Sequence, residues 1–173
     1  MGRFAILVDT PEAREAFKAK YNIPIGVTIT HYKLGEWYTK RQIGDVVVPM
    51  IAFIEGGIRI LISRVMRDFL NIFRLCPTQC SPNLFRVLGN IDHLNEKMGV
   101  NLTHHNVNWV YSCQDSKDTR YYLRTRVPTV RIISYLFKTN RGINEDFLII
   151  SRDWHDGKHC PTKEETLGRV IGA

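Results

Sequence analysis

Two blocks of apolar residues at helical spacing, joined by a linker that carries Pro77 and Pro82, limit what this chain can fold into more than any other stretch. In the first block Ile58, Leu61, Ile62, Val65, Phe69, Ile72 and Phe73 recur with the period of an amphipathic helix, and Arg64, Arg67, Asp68, Asn71 and Arg74 fill the remaining positions. This helix must stop before Pro77, because proline has no backbone donor and drives its predecessor out of the helical region. Ser81 then offers an N-cap oxygen, and Pro82 stands at the first helical position, where a missing N–H is harmless. Leu84, Val87, Leu88, Ile91, Leu94 and Met98 form the apolar face of the second helix, and Gly99 supplies its left-handed end. The pattern predicts a hydrophobic helical hairpin around the linker 75–83.

The flanking sequence predicts a sheet. Phe4 to Val8 reads as a short strand, Thr10-Pro11-Glu12 as an N-cap leading into a helix through Phe17, and Val27 to Thr30 as a strand within an irregular connector running from Ile23 to Val48. Thr103 to Tyr111 carries both a helical and an alternating pattern, and a short helix is the preferred assignment. Tyr121 to Thr125, Val130 to Ser134 and Phe147 to Ser151 are rich in aromatic and β-branched residues and separated by turn formers. The expected class is α+β, a helical hairpin core with a small antiparallel sheet in the C-terminal half. With 173 residues, 44% of them hydrophobic, the chain can bury one core without disulfide or metal. Residues 1–154 are read as one domain and 155–173 as a polar tail.

The order of several segments carries a resemblance. Tyr21-Asn22-Ile23-Pro24, the block from Ile58-Arg59-Ile60-Leu61 to Phe69-Leu70, the helix start Ser81-Pro82-Asn83, and Tyr121-Tyr122-Leu123 resemble the gypsy-type transposon domain of plant genomes. Lys138-Thr139-Asn140-Arg141-Gly142 followed by Phe147-Leu148-Ile149-Ile150 looks like that family's closing segment. The likeness spans roughly Glu15 to Trp154 and rests on the order of its motifs, each of which is loose. It implies a transposable-element protein in which this domain precedes longer polar or coiled-coil sequence, so the chain is expected to be an amino-terminal domain or a fragment of an element's reading frame. The family's transposase label is a genomic inference.

Charge supplies the functional hint. The formal net charge is +7, and most of it lies between residues 117 and 141, where Lys117, Arg120, Arg124, Arg126, Arg131, Lys138 and Arg141 face Asp118 alone. On a strand Arg124 and Arg126 would share a face, with Tyr121 and Tyr122 beside them, so that cations and stacking surfaces interleave. Lys117, Arg120, Tyr121, Tyr122, Arg124, Arg126 and Arg131 are therefore the candidate nucleic-acid-binding residues, suited to phosphates and unpaired bases of DNA or RNA. The plainer alternative is an exposed sheet face kept in solution by its arginines. Apolar runs are too short for a membrane span, and the start Met1-Gly2-Arg3-Phe4-Ala5-Ile6 lacks the features of a signal peptide. An intracellular protein with reduced cysteines is expected, in nucleus or cytoplasm, and self-association is left open.

Metal and catalytic constellations are sparse. Cys76 and Cys80 form C-x3-C and His155, His159 and Cys160 form H-x3-H-C, but the two halves stand too far apart for a finger or a knuckle. Cys76 and Cys80 are expected to fill the linker, and His104-His105 to be surface polarity. No cofactor is expected. A two-metal nuclease needs converging carboxylates, for which Asp9, with Asp146 or Asp153, is the sole candidate set. The protease loop Asp-Thr-Gly fails at Pro11, and no phosphate loop or nucleophile elbow occurs. Two classes of function follow: a non-catalytic structural or nucleic-acid-associated module, or a DNA-processing enzyme of transposase or integrase type. A host-co-opted protein-interaction module fits the same residues.

Overall fold

The computed structural model describes residues 2–33, 42, 44–116, 120–134, 136, 146–152 and 154. Among these the architecture is α+β: five α-helices, one three-stranded antiparallel sheet and one two-stranded antiparallel hairpin. The helices are α1 (Pro11–Lys20), α2 (Met50–Ile54), α3 (Arg64–Phe73), α4 (Pro82–Met98) and α5 (His104–Val110). The strands are β1 (Thr28–Lys33), β2 (Val46–Pro49), β3 (Tyr111–Asp115), β4 (Tyr121–Thr125) and β5 (Asp146–Ser151).

The helix hairpin forms where its caps dictate. Ser81 Oγ accepts from the Leu84 amide at 3.4 Å, Pro82 opens α4, and Gly99 ends it at φ 63°. Leu84, Phe85, Val87, Leu88 and Ile91 are buried on α4, facing Val65, Met66, Phe69 and Leu70 of α3. Met98, assigned to the apolar face by its spacing, is exposed in the last turn of α4. The first block behaves differently from its periodicity. Ser63 Oγ accepts from the Met66 amide at 3.2 Å, so α3 starts there, and the preceding residues are not helical. Between residues 57 and 62, Ile58, Ile60 and Ile62 are buried while Gly57, Arg59 and Leu61 are exposed. Isoleucines at alternate positions of this non-helical segment enter the core, a period-two burial that the helical spacing does not distinguish from its own. Gly56, just upstream, lies so close to α2 and α4 that a Cβ there would sit 2.6 Å from the Ala52 carbonyl oxygen and 2.9 Å from Phe85 Cβ.

The linker is an internal part of the fold. Leu75, Cys76, Pro77, Thr78, Cys80 and Ser81 are all buried around a 3-10 turn at Pro77–Gln79. Its backbone groups find local partners: the Cys76 amide donates to Gln79 Oε1 at 2.9 Å, and Cys80 Sγ donates to the Cys76 carbonyl at 3.4 Å. Buried cysteines of this kind behave as small apolar residues.

The sheet draws on both ends of the chain, not on the C-terminal half alone. Its order is β1-β5-β2, antiparallel throughout, with Thr28 opposite Ser151 and Lys33 opposite Asp146 on one side, and Val46 opposite Ile150 and Pro49 opposite Phe147 on the other. Phe147, Leu148, Ile149 and Ile150 are buried without alternation, as a strand covered on both faces must be. Leu148 and Ile150 join the main core with Ile29, Val46 and Val48, while Phe147 and Ile149 pack with Val47 and Tyr32 on the opposite face. Val46 to Val48, assigned to the irregular connector by sequence, form the second partner strand. Trp154 follows β5, buried, and donates from Nε1 to the Gly44 carbonyl at 2.7 Å, tying the end of β5 to the approach of β2.

Two expected strands are absent. Phe4 to Val8 contains a 3-10 turn, Ala5–Leu7, closed by Leu7 and Val8 amides bonding to the Phe4 and Ala5 carbonyls. This segment is held by a side chain: Asp146 Oδ2 accepts from the Phe4 amide at 2.7 Å, and Asp146 Oδ1 lies 2.8 Å from His31 Nε2. Gly2 sits against the same carboxylate, where a Cβ would collide with it. Val130 to Ser134 is not a strand either, because its amides turn elsewhere: Val130 donates to Val127, and Ile132 and Ile133 both donate to the buried Tyr111 hydroxyl at 3.0 and 3.4 Å. The helix at Thr10 is as its cap predicts, with Thr10 Oγ1 accepting from Ala13, and it continues three residues past Phe17 to Lys20. No helix of the described residues is long and apolar enough to cross a membrane.

Phe69 and Leu88 are both fully buried, so Phe69→Ala and Leu88→Ala should each destabilise the fold by about 2–5 kcal/mol. Equilibrium denaturation measures this, and losses below about 0.5 kcal/mol for both would remove them from a shared core. Asp146→Ala should cost about 3 kcal/mol, since two hydrogen bonds to a buried carboxylate are lost together. Hydrogen exchange at the Phe4 amide should rise in that variant well above the change seen at α4, and equal protection in both proteins would contradict the clamp.

Candidate nucleic-acid interface

The β3–β4 hairpin presents the basic segment. Its register pairs Tyr111 with Thr125, Cys113 with Leu123 and Asp115 with Tyr121 on one face, and Ser112 with Arg124 and Gln114 with Tyr122 on the other. Leu123 is buried and Tyr111 almost wholly so, which fixes the first face toward the core. The hairpin is mounted on the interhelical linker: the Ser81 amide donates to the Tyr121 carbonyl at 2.9 Å, and Cys80 bridges Tyr121 in parallel.

This register separates the candidate residues. Tyr122 and Arg124 point outward together. Tyr122 donates its hydroxyl to Gln114 Oε1 at 3.1 Å, and Gln114 Nε2 in turn donates to Ser112 Oγ at 3.3 Å, making a polar strip along the outer face. Arg124 is exposed beside that strip, its carbonyl accepting from Ser112 Oγ. Tyr121 lies on the opposite face, packed against the core, and burial first, then Asp115, raises its phenol above the usual range. Tyr121 therefore does not stand beside Arg124 as a stacking surface, because consecutive strand residues face opposite ways. Arg120 is half-buried at the head of β4, and its carbonyl accepts from the Ser116 amide.

Arg126 does not share a strand face with Arg124, because β4 ends at Thr125. Its amide donates to the Val110 carbonyl at 2.9 Å, and its Nε donates to the carbonyls of Asn108 at 2.7 Å and Tyr111 at 3.2 Å. Arg126 thus caps the C-terminal end of α5, where a cation also opposes the negative end of the helix dipole. Arg131 is exposed and makes one local contact, from Nε to the Pro128 carbonyl at 3.0 Å. Lys117, Lys138 and Arg141, with Asp118, lie outside the described residues, as do Asp153, His155, His159 and Cys160.

A residue without a sequence signal stands at this end of the hairpin. Trp109, in the last turn of α5, is 85% exposed. Its helical spacing places it away from Val107, which is buried, and only the packing of α5 shows that nothing in the described fold covers it. Val127 and Val130, on the loop that Arg126 and Tyr111 hold in place, are exposed as well.

Among the described residues, the catalytic and metal candidates are not brought together. Both oxygens of Asp146 are engaged by His31 and the Phe4 amide, and Asp9 is exposed in the turn before α1. Among the described residues no group of three or more His, Cys, Asp or Glu side chains is placed to hold a metal ion. His104 and His105 stack with centroids 4.0 Å apart, and burial, then His105, lowers the His104 pKa. Cys76 and Cys80 are buried thiols in the linker.

Burial, followed by Asp115, pushes the Cys113 thiol up to about 12. Only the thiolate is nucleophilic, so iodoacetamide at pH 8 should leave Cys113 unmodified in the folded protein and label it in denaturant. Peptide mass mapping reads the result, and rapid native labelling at Cys113 would place it in a different environment.

Compared with protein-family models, with curated proteins and with solved structures, the chain matches none of them.

Proposed function

We propose that this protein is a non-catalytic module of a plant transposable element, of the gypsy-type transposon domain kind, that acts inside the cell and associates with nucleic acid through the outer face of the β3–β4 hairpin. The observation that carries the binding role is the exposed pair Arg124 and Arg131 at one end of that hairpin, with Asp115 at the other. Arg124 pairs with Ser112, three strand positions from Asp115 or about 10 Å at strand rise, so the hairpin's own carboxylate stands away from Arg124. Cations held on a rigid, exposed edge gain affinity for phosphates by releasing counterions, with little dependence on base identity. The segment-order resemblance supplies the transposable-element context. Among the described residues, Asp146, a member of the carboxylate set that a DNA-processing reading would need, has both oxygens engaged within the fold.

Fluorescence anisotropy with a labelled oligonucleotide at about 50 and 200 mM salt tests the proposal. Binding should weaken steeply with salt, and Arg124→Gln combined with Arg131→Gln should weaken it for all sequences and flatten the log–log salt slope by about one to two. No binding by the parent protein, or an unchanged slope in the double variant, would refute it. Arg126 is left out of this pair because its guanidinium holds the end of α5, and Arg126→Gln would alter stability along with charge.

A further inference from the structure

We infer that Trp109 is a stacking platform for an unpaired base, and that the surface selects single-stranded over duplex nucleic acid. This rests on the proposed binding role and adds the residue and the strandedness to it.

The tyrosines beside the arginines are poorly placed to stack: Tyr121 faces the core, and Tyr122 is tied by its hydroxyl to Gln114. Among the described residues, Trp109 is the large aromatic left open. It is 85% exposed, and its indole has no hydrogen-bond or ring partner among the described residues. Its position is nevertheless rigid. The carbonyls on either side of it, Asn108 and Val110, both accept from Arg126, one from the side chain at 2.7 Å and one from the backbone at 2.9 Å. A single residue therefore fixes the peptide that bears the indole and brings a guanidinium to it.

The occupant follows from charge and shape. Arg126 adjoins Trp109, Arg124 lies one strand position before Thr125, and Arg131 follows on the same loop, while α5 and the segment from residue 120 to 134 contain no aspartate or glutamate. A polyanion is thus favoured over an acid-free or basic protein surface. In a duplex the base faces are already stacked on one another, and an indole can reach only their edges. An unpaired base offers a free π-face, which an aromatic side chain binds whatever the base. Exposed valines at 127 and 130 can flank a sugar or base without hydrogen-bonding demands.

The test uses the full chain, a labelled oligothymidylate of about 12 nucleotides, the same oligonucleotide with abasic sites, and a duplex of equal charge. Because Trp109 is exposed, Trp109→Ala should unfold at the same denaturant midpoint as the parent. It should bind oligothymidylate about ten-fold more weakly, with duplex affinity and salt slope unchanged, and Trp109→Phe should recover part of the loss. The abasic strand should lose the same factor with the parent protein and nothing further with Trp109→Ala, which separates stacking from charge. Parent-like binding by Trp109→Ala, together with a loss in the Arg124 and Arg131 variant, would overturn the stacking role and leave the binding role standing. Absence of binding by the parent to any probe would overturn both. Self-association of the parent that Trp109→Ala abolishes, with no change in oligonucleotide affinity, would assign the patch to a protein interface instead.

Discussion

The antiparallel pairing of β5 with both β1 and β2 is the constraint on which most of this structure depends. Phe147-Leu148-Ile149-Ile150 is apolar at every position, and such a run is stable only where both faces are covered and both edges are paired. Full burial of each of these side chains contributes about 1.5–3 kcal/mol. The central place of β5 fixes the rest: Asp146 at its start can reach Phe4 and His31, and Trp154 beyond its end can reach Gly44. Segments from the first third of the chain are thereby stitched to residues near 150, and the helices pack against one face of the sheet they complete.

The second organising element is the buried linker between α3 and α4. A stretch containing Pro77 and a 3-10 turn would ordinarily lie at the surface, because its backbone groups lack regular partners. Here the capping of Cys76 by Gln79 and the bond from Cys80 to Cys76 satisfy them internally. The linker can then serve as the seat of the β3–β4 hairpin, through Ser81 and the Tyr121 carbonyl. The basic surface consequently sits on a well-packed support. Tyr111 extends that support by holding the loop after β4 with its buried hydroxyl.

The arginines of the basic segment look equivalent in sequence and have different roles in the fold. Arg124 is presented to solvent by the register of the hairpin, whereas Arg126, two residues on, is drawn into hydrogen bonds with three carbonyl-bearing residues at the end of α5. A cation engaged in this way positions its neighbours and adds less to phosphate attraction than a free one. The exposed indole of Trp109, framed by that capping interaction, is the feature of the surface that charge counting alone passes over.

What the sequence by itself determined is local. The start of α1 at Thr10, the start of α4 at Ser81 and Pro82, its end at Gly99 and the α+β class were all legible, because a cap is satisfied within three or four residues and its signal is written there. The hairpin strand Tyr121 to Thr125 and the apolar run of β5 were legible for the same reason. Tertiary structure decided the rest. Ile58 to Ile62 fits a helix by its spacing, but the Ser63 cap starts the helix later and leaves these residues as a non-helical segment with alternate isoleucines in the core. Val46 to Val48 became a strand because β5 had an open edge for them, and Val130 to Ser134 did not, with the Ile132 and Ile133 amides bonded to Tyr111 and the Val130 amide to Val127. Strand partners, the face on which Tyr121 lies and the exposure of Trp109 all depend on groups distant in sequence, and no local pattern encodes which of them arrives.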